Sequence, residues 1–290
     1  MSLRVLSSRE FNQFEAVDFL RAGNLSYAHP DWLNQQERLT DPFTQALEEN
    51  GSLLAILCTA KEHVQVAWVR FFTCLRDGRQ QLYFDRLLSA ALASHQNSGT
   101  RALFSIAPND WVSNLLSQSS FTLSNQIVTL ACQIDHTTTA LQNTPIRQME
   151  PDDFSAVLAL DRLAFPPEWR LDQASLTRAY ARAAIATVSL DQQKIIGYSL
   201  TNATFGAGHL NRLAVHPSYW GTGRGRQMLF DLNTRCSELG ITHLTVNTQA
   251  DNLRSLSLYK HAGFTLSGET MNIYCHSVVP TINENLDGNS

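Results

Sequence analysis

The sequence predicts an α+β chain built of two similar halves, each a mixed central sheet flanked by helices in an α/β-layered arrangement. Three observations predict it. Apolar residues switch between alternate and helical spacing several times in each half. The tetrapeptide Phe121-Thr-Leu-Ser124 recurs as Phe264-Thr-Leu-Ser267, 143 positions later. Between the copies lies Asp135 to Pro145, polar, Thr-rich and closed by a proline, the composition of a linker.

The same offset brings Leu3-Arg4 onto Ile146-Arg147, Ala107 onto Ala250, Asn109 onto Asn252 and Leu115 onto Leu258. Agreement at both ends and in the middle of a half points to duplication, with a unit of ordinary domain size. The expected domains are therefore residues 1–134 and 146–276, joined by a linker over 135–145. The tail 277–290 has no apolar periodicity and reads as disordered.

Composition limits the function classes. With 43% apolar and 17% charged residues among 290, the chain has the makings of a sizeable core. A net charge of −4 gives no general attraction to nucleic acid or to anionic membranes, so neither is expected as a partner. The five cysteines are scattered and form no C-x-x-C pair, which points to reduced thiols and away from a metal site. The first residues lack an apolar leader and no run approaches the length of a membrane span, so a cytoplasmic protein is expected.

In the second half a short strand is expected near Ile146. A helix follows Pro151-Asp-Asp153, whose carboxylates suit a helix start, with Phe154, Val157 and Leu158 on one face. Residues 185–190 and 194–203 read as two strands around the turn Asp191-Gln-Gln193. Residues 210–216 form a further strand stopped by Pro217. A helix from Gly225 carries Met228, Leu229, Leu232, Cys236 and Leu239 and ends at Gly240. Strand 243–248, helix 252–262 capped by Gly263, and strand 270–276 complete the half. The first half follows the same order more loosely: strands at 53–58, 64–74 and 102–106, and a helix at 83–93 with Phe84, Leu87, Leu88, Ala91 and Leu92 inward.

The chemistry concentrates in Leu210-Asn-Arg-Leu-Ala-Val-His-Pro-Ser-Tyr-Trp-Gly-Thr-Gly-Arg-Gly-Arg226. An apolar strand runs into a loop with glycines at 221, 223 and 225, and the loop opens into an amphipathic helix. Such a loop can turn several backbone N–H groups toward one anion, and the helix start adds its unpaired donors and positive dipole end. Arg224 and Arg226 add charge beside it. A tight strand-to-helix connection with no ligand is the plain alternative. A dinucleotide site is not favoured, since it would need G-x-G-x-x-G and here the pattern is G-x-G-x-G after an aromatic residue.

These residues resemble motif A of the GNAT acetyltransferase superfamily, [Q/R]-x-x-G-x-[G/A] after a strand of the form L-x-V-x-P. Leu213-Ala-Val215-His-Pro217 fits the strand and Gly223-Arg-Gly225 the loop, while Trp220 replaces the leading Gln/Arg. Asn252-Leu-Arg-Ser-Leu-Ser-Leu-Tyr259-Lys-His-Ala-Gly-Phe264 is similar to motif B, with Ser255 in place of Ala. Ala164-Phe-Pro-Pro-Glu-Trp169 looks like the acceptor-side loop of ribosomal-protein N-terminal acetyltransferases. The two-domain layout with a degenerate first half is like that of the tandem members of the superfamily.

The resemblance implies acetyl-CoA as co-substrate and no metal. Backbone groups of Leu213 and Val215 would pair with the pantetheine amides. Gly221, Thr222, Gly223, Arg224, Gly225 and Arg226 would hold the pyrophosphate. Asn252 would steady the pantetheine arm or serve only as a helix cap. Tyr259 stands where the family keeps its general acid, and a phenol suits an expelled thiolate; a core aromatic is its other reading. The family's catalytic Glu is replaced by Asn247, which leaves Glu168, His209, His216 and His261 as candidate bases. In the first half only Gly78 survives of the loop glycines, with Gln80 and Leu82 in the other places and Leu116 for the tyrosine, so that half is expected to have lost cofactor binding. The implied function is transfer of an acetyl group to a primary amine, on a small molecule or a protein N-terminus. A non-catalytic CoA-binding regulator and an interaction scaffold are the alternatives. A monomer is slightly preferred to a homodimer.

Overall fold

The computed structural model describes residues 3–30, 32–134 and 145–278. The expected linker, apart from Pro145, and the tail beyond Val278 lie outside the described residues. The chain divides into two compact units, one of Met1–Leu123 with Tyr274–Ser290 and one of Ser124–Ile273. Both are α+β layered, a mixed sheet with helices packed on it.

Unit 1 contains β1 (Leu3–Ser7), α1 (Gln13–Arg21), β2 (Leu25–Ala28), β3 (Thr44–Glu49), β4 (Ser52–His63), β5 (Val66–Cys74), α2 (Gln80–Asn97), β6 (Ala102–Ala107) and α3 (Asp110–Gln118). Its sheet runs β1-β3-β4-β5-β6, with β2 paired to β5 as well. β5 is buried along its whole length, which is why apolar residues occupy both of its faces, broken only by Arg70 and Thr73, instead of alternating with polar ones. The helix α2 buries Tyr83, Phe84, Leu87, Leu88 and Ala91. Each such large side chain contributes about 1.5–3 kcal/mol by leaving water.

Unit 2 begins within β7 (Thr122–Gln133) and continues through β8 (Ile146–Gln148), α4 (Phe154–Ala164), α5 (Gln173–Arg182), β9 (Ile185–Asp191), β10 (Lys194–Thr204), β11 (Ala207–Val215), α6 (Arg224–Glu238), β12 (His243–Gln249), α7 (Leu253–His261) and most of β13 (Thr265–Ser277). Its sheet order is β13-β7-β12-β11-β10-β9-β8. The core gathers Leu210, Leu229, Leu232, Cys236, Leu244, Val246, Tyr259 and Phe264.

The duplication is visible in the ladders, but the compact units do not coincide with the halves of the sequence. β7 begins at Thr122 and β13 at Thr265, 143 positions apart. β7, from the first half, pairs antiparallel with β12 from Ile127↔Gln249 to Gln133↔His243. An edge strand needs a partner for its unpaired amides, and β12 takes one from the other copy. Tyr274 and Val278, from the second half, are buried in the unit 1 core. This exchange is not legible from local pattern, because pairing partners are a non-local property. No helix among the described residues is long and apolar enough to cross a membrane.

Candidate functional site

The site grows from a split in the unit 2 sheet. β11 is paired with β10 along its whole length, from Thr204↔Ala207 to Gly197↔Val215. The register shifts between Leu200 and Thr201, so Asn211 has no partner of its own in the ladder, and the amide of Asn202 donates to its Oδ1 at 3.1 Å. A bulge bends its strand. On the other side β11 meets β12 in parallel only from Ala207↔His243 to Leu210↔Val246. From residue 211 to 215 this side of β11 has no strand beside it among the described residues, and the same holds for β12 after Val246.

Backbone groups alternate along a strand. The amide of His216 donates to the carbonyl of Ile196 at 2.8 Å, so Ala214 and Arg212 likewise turn toward β10. Leu213 and Val215 therefore turn their N–H and C=O groups to the open side. One of these groups already has a partner, because Trp220 Nε1 donates to the Val215 carbonyl at 2.8 Å. The Arg254 guanidinium lies 3.6 Å from the centroid of the Trp220 ring.

The glycine loop follows a 3-10 turn at Pro217–Tyr219, which Tyr219 ties to the β9–β10 hairpin by donating to Asp191 at 2.7 Å. Gly221 and Gly223 have φ of 78° and 85°, values that residues with a Cβ seldom adopt. Gly223 is the N-cap of α6, and its helix starts without a side-chain cap. Asn12, Asn109, Asp172 and Asn252 supply such caps for α1, α3, α5 and α7. The first intrahelical bond of α6 is Gln227 N–H to Gly223 C=O at 3.0 Å, which leaves the amides of residues 223–226 for another acceptor at the positive end of the helix dipole.

Two residues of this loop differ from expectation. The helix begins at Arg224, one position early, so Gly225 lies inside it. A Cβ at Gly225 would stand 3.0 Å from Leu258 Cδ2, so its glycine is needed for close approach of α6 to α7, not for loop conformation. Arg224 does not stand free beside the loop; it reaches Gln227 at 3.2 Å and Asp191 at 3.8 Å. Arg226 and Thr222 are exposed in the loop region.

Across the split, Asn252 caps α7 by accepting from the Ser255 amide at 3.2 Å. Tyr259 is 5% exposed and packs on Phe264 with ring centroids 5.6 Å apart. Its hydroxyl has no hydrogen-bond partner among the described residues, and burial pushes its pKa up, so it keeps its proton at neutral pH. The two readings of Tyr259 are compatible: the ring is core and the hydroxyl is uncommitted.

The candidate bases are dispersed. Nδ1 of His209 bonds Thr245 Oγ1 at 2.8 Å in the closed part of the split, and burial lowers its pKa. His216 accepts from the Ser218 amide through Nδ1. His261 donates to its own helix at Ser257 C=O, 2.7 Å away. Glu168 lies in the 3-10 turn Pro167–Trp169. Asn247 follows the last parallel pair of β12 and accepts from Thr129 of β7 at 2.9 Å.

Sequence reasoning missed the cluster that holds residues 165–171. Asp161, fully buried on α4, accepts from Arg212 Nη2 at 2.6 Å and Nε at 3.0 Å, from the Leu171 amide at 2.8 Å and from the Tyr198 hydroxyl. Arg212 also donates to the Trp169 carbonyl and lies 3.7 Å over the Phe165 ring. Residues 165–171 are thereby fastened to the strand that carries Leu213. The available signal was a carboxylate at position 161 on the inward side of an apolar helix.

The profile of the Acetyltransferase (GNAT) family matches residues 154–264. No curated protein matches the chain. Solved structures are similar over nearly its whole length. A tandem GNAT protein from the clavulanic acid biosynthesis pathway aligns over 97% of this chain and 100% of its own, with 12% identity and a TM-score of 0.59. A GCN5-related N-acetyltransferase from Sphaerobacter thermophilus aligns over 96% of each chain, with 14% identity and a TM-score of 0.58. A probable N-acyltransferase from Enterococcus faecalis V583 aligns over 96% of this chain and 73% of its own, with 10% identity and a TM-score of 0.67. At these identities the likeness is one of fold.

Proposed function

We propose, from the match of residues 154–264 to the Acetyltransferase (GNAT) family, that this chain transfers an acetyl group from acetyl-CoA to a primary amine, with unit 2 as the working half. The observation that carries the reading is the open side of β11 at residues 211–215 leading into the uncapped start of α6. An extended arm bearing amides pairs with such an edge as an added strand would. A pyrophosphate satisfies the amides at a helix start.

Acetyl-CoA supplies the thioester that an amine attacks directly. Leu213 and Val215 hold the arm by backbone bonds, and the amides of residues 223–226, at the end of the 221–226 loop, hold the phosphates. Arg226, which is exposed, adds charge there, while Arg224 does so only by leaving Asp191. The expelled sulfur needs a proton, and the Tyr259 hydroxyl is the uncommitted, protonated group on the adjoining helix. The acceptor is a small-molecule amine or a protein N-terminus, received on the side of residues 165–171.

A CoA-binding regulator without catalysis is the second reading, favoured by Trp220 on the Val215 carbonyl and by Asn247 in place of a carboxylate. Release of free thiol from acetyl-CoA, followed with a panel of primary amines, separates the two. The enzyme reading expects amine-dependent release that falls in Tyr259→Phe while acetyl-CoA affinity is kept. Tight binding with no release for any amine supports the regulator.

A further inference from the structure

The split that opens in unit 2 also opens in unit 1, at the position the repeat requires. Val66↔Ala102 and Ala67↔Leu103 of β5 and β6 stand 143 positions before His209↔Thr245 and Leu210↔Val246 of β11 and β12. β5 keeps β4 beside it from Val66 to Cys74, and β6 leaves it after Trp68.

Beyond that point the other side of β5 is taken. β2 pairs antiparallel with β5 from Ala28↔Phe71 to Leu25↔Cys74. A strand has two sides, and β4 holds one, so β2 lies on the side that β6 has left. The His29 amide extends the ladder by donating to the Arg70 carbonyl at 2.8 Å. By alternation, Phe72 also turns its backbone groups to β2. Arg70 and Phe72 answer, at the offset of 143, to Leu213 and Val215.

We propose that the first half closes its cofactor cleft from within: β2 stands on β5 where the pantetheine arm stands on β11, so the chain offers one cofactor cleft. This rests on the reading that Leu213 and Val215 pair with that arm. An extended backbone presents the same donors and acceptors as the amides of pantetheine, and being part of the chain it needs no free ligand concentration to stay in place. Side chains seat it firmly. Tyr27 is 4% exposed and belongs to the unit 1 core. Ser26 Oγ lies 2.8 Å from Thr73 Oγ1, and Gln35 Nε2 donates to Ser26 Oγ at 2.7 Å.

The same repeat position has the opposite fate in unit 2. Residues 25–28 answer to 168–171, the stretch that Arg212 and Asp161 fasten through the Trp169 carbonyl and the Leu171 amide. Their counterparts are Val69, which is buried and apolar, and Asp18, which is exposed, so these positions form no such clasp in unit 1. The stretch is there free to enter the cleft as a strand.

The test is a cross-strand lock in the full chain, Ser26→Cys with Thr73→Cys, compared oxidised and reduced by calorimetric titration with acetyl-CoA. Backbone hydrogen exchange of the wild-type chain accompanies it. The expected result is a lock that closes without denaturant and leaves stoichiometry unchanged and affinity within about twofold. The amides of Tyr27 and Phe72 should exchange slowly with and without acetyl-CoA, while those of Leu213 and Val215 gain protection when it is added. A lock that fails to form, one that lowers binding, or a Phe72 amide that responds to acetyl-CoA overturns the proposal. Absence of acetyl-CoA binding in every form removes the functional reading and the stand-in role with it. Slow exchange at Tyr27 and Phe72 would separate that result from a failure of the strand itself.

Discussion

The indole N–H of Trp220 donates to the carbonyl of Val215, and Arg254 covers the same ring, so one side chain links the end of β11, the start of the glycine loop and the start of α7. A net hydrogen bond contributes about 1 kcal/mol and an exposed cation–π contact about 0.5–1 kcal/mol. Trp220→Ala loses both and should weaken acetyl-CoA binding roughly tenfold or somewhat more. Trp220→Phe keeps the stacked ring and should lie between this variant and the wild type in the same titration.

Two glycines of the loop should respond differently to a methyl group. Gly223 has φ of 85° and open space around its Cβ position, so Gly223→Ala meets only backbone strain of about 1–2 kcal/mol. Gly225 has an ordinary helical backbone, but an added Cβ would stand 3.0 Å from Leu258 Cδ2, so Gly225→Val must displace the Leu258 side chain or α7 and should destabilise by about 1–3 kcal/mol. Urea unfolding measures both, and a Gly225→Val variant as stable as the wild type would contradict the packing described.

Arg212→Met should be among the most destabilising single changes in unit 2. It leaves the Asp161 carboxylate, which is fully buried, with only the Tyr198 hydroxyl and the Leu171 amide. Removing one partner of a buried pair costs about 3–5 kcal/mol. The unfolding midpoint in urea checks this, and limited proteolysis should show faster cutting within residues 165–171.

Stability should fall on mild acidification because of His95. This side chain is fully buried, bonded to Thr59 and Thr100 and stacked on Phe43 at 4.3 Å, and burial lowers its pKa to about 4. Above pH of about 6.5 the ring is neutral in both folded and unfolded chains and contributes no slope. Between 6.5 and 4 the unfolded chain takes up a proton that the folded chain refuses, so the folded state loses ground, by about 2 kcal/mol at pH 5. His95→Gln should flatten this part of the stability curve, and an unchanged slope would assign it to other groups.

The second half was legible where local pattern decides structure. Met228, Leu229, Leu232 and Cys236 mark α6 by their spacing and are buried, whereas Leu239, expected on the same face, is the C-cap and is exposed because the helix ends at Glu238. The alternation of glycines located the loop, and the offset of 143 relates the ladder of β5 with β6 to that of β11 with β12, a pairing that only the structure shows. What escaped depends on partners far away in sequence. Leu25-Ser-Tyr-Ala28 is too short to announce a strand, and its place is set by β5, more than forty positions on. Pairing of β7 with β12 is likewise invisible to periodicity. Asp161 reads as a polar interruption in an apolar helix until Arg212 and Tyr198 are brought to it. Gly225 carries the right residue for a reason, contact with Leu258, that a motif does not state.

Calorimetric titration of the full chain with acetyl-CoA tests whether a single cleft, between β11 and β12, takes the cofactor. One site per chain is expected, lost in Gly223→Glu, where a carboxylate would face the phosphates at the start of α6, and kept in Gln80→Glu at the corresponding position of unit 1. Two sites per chain, no binding, or equal loss in both variants would contradict it.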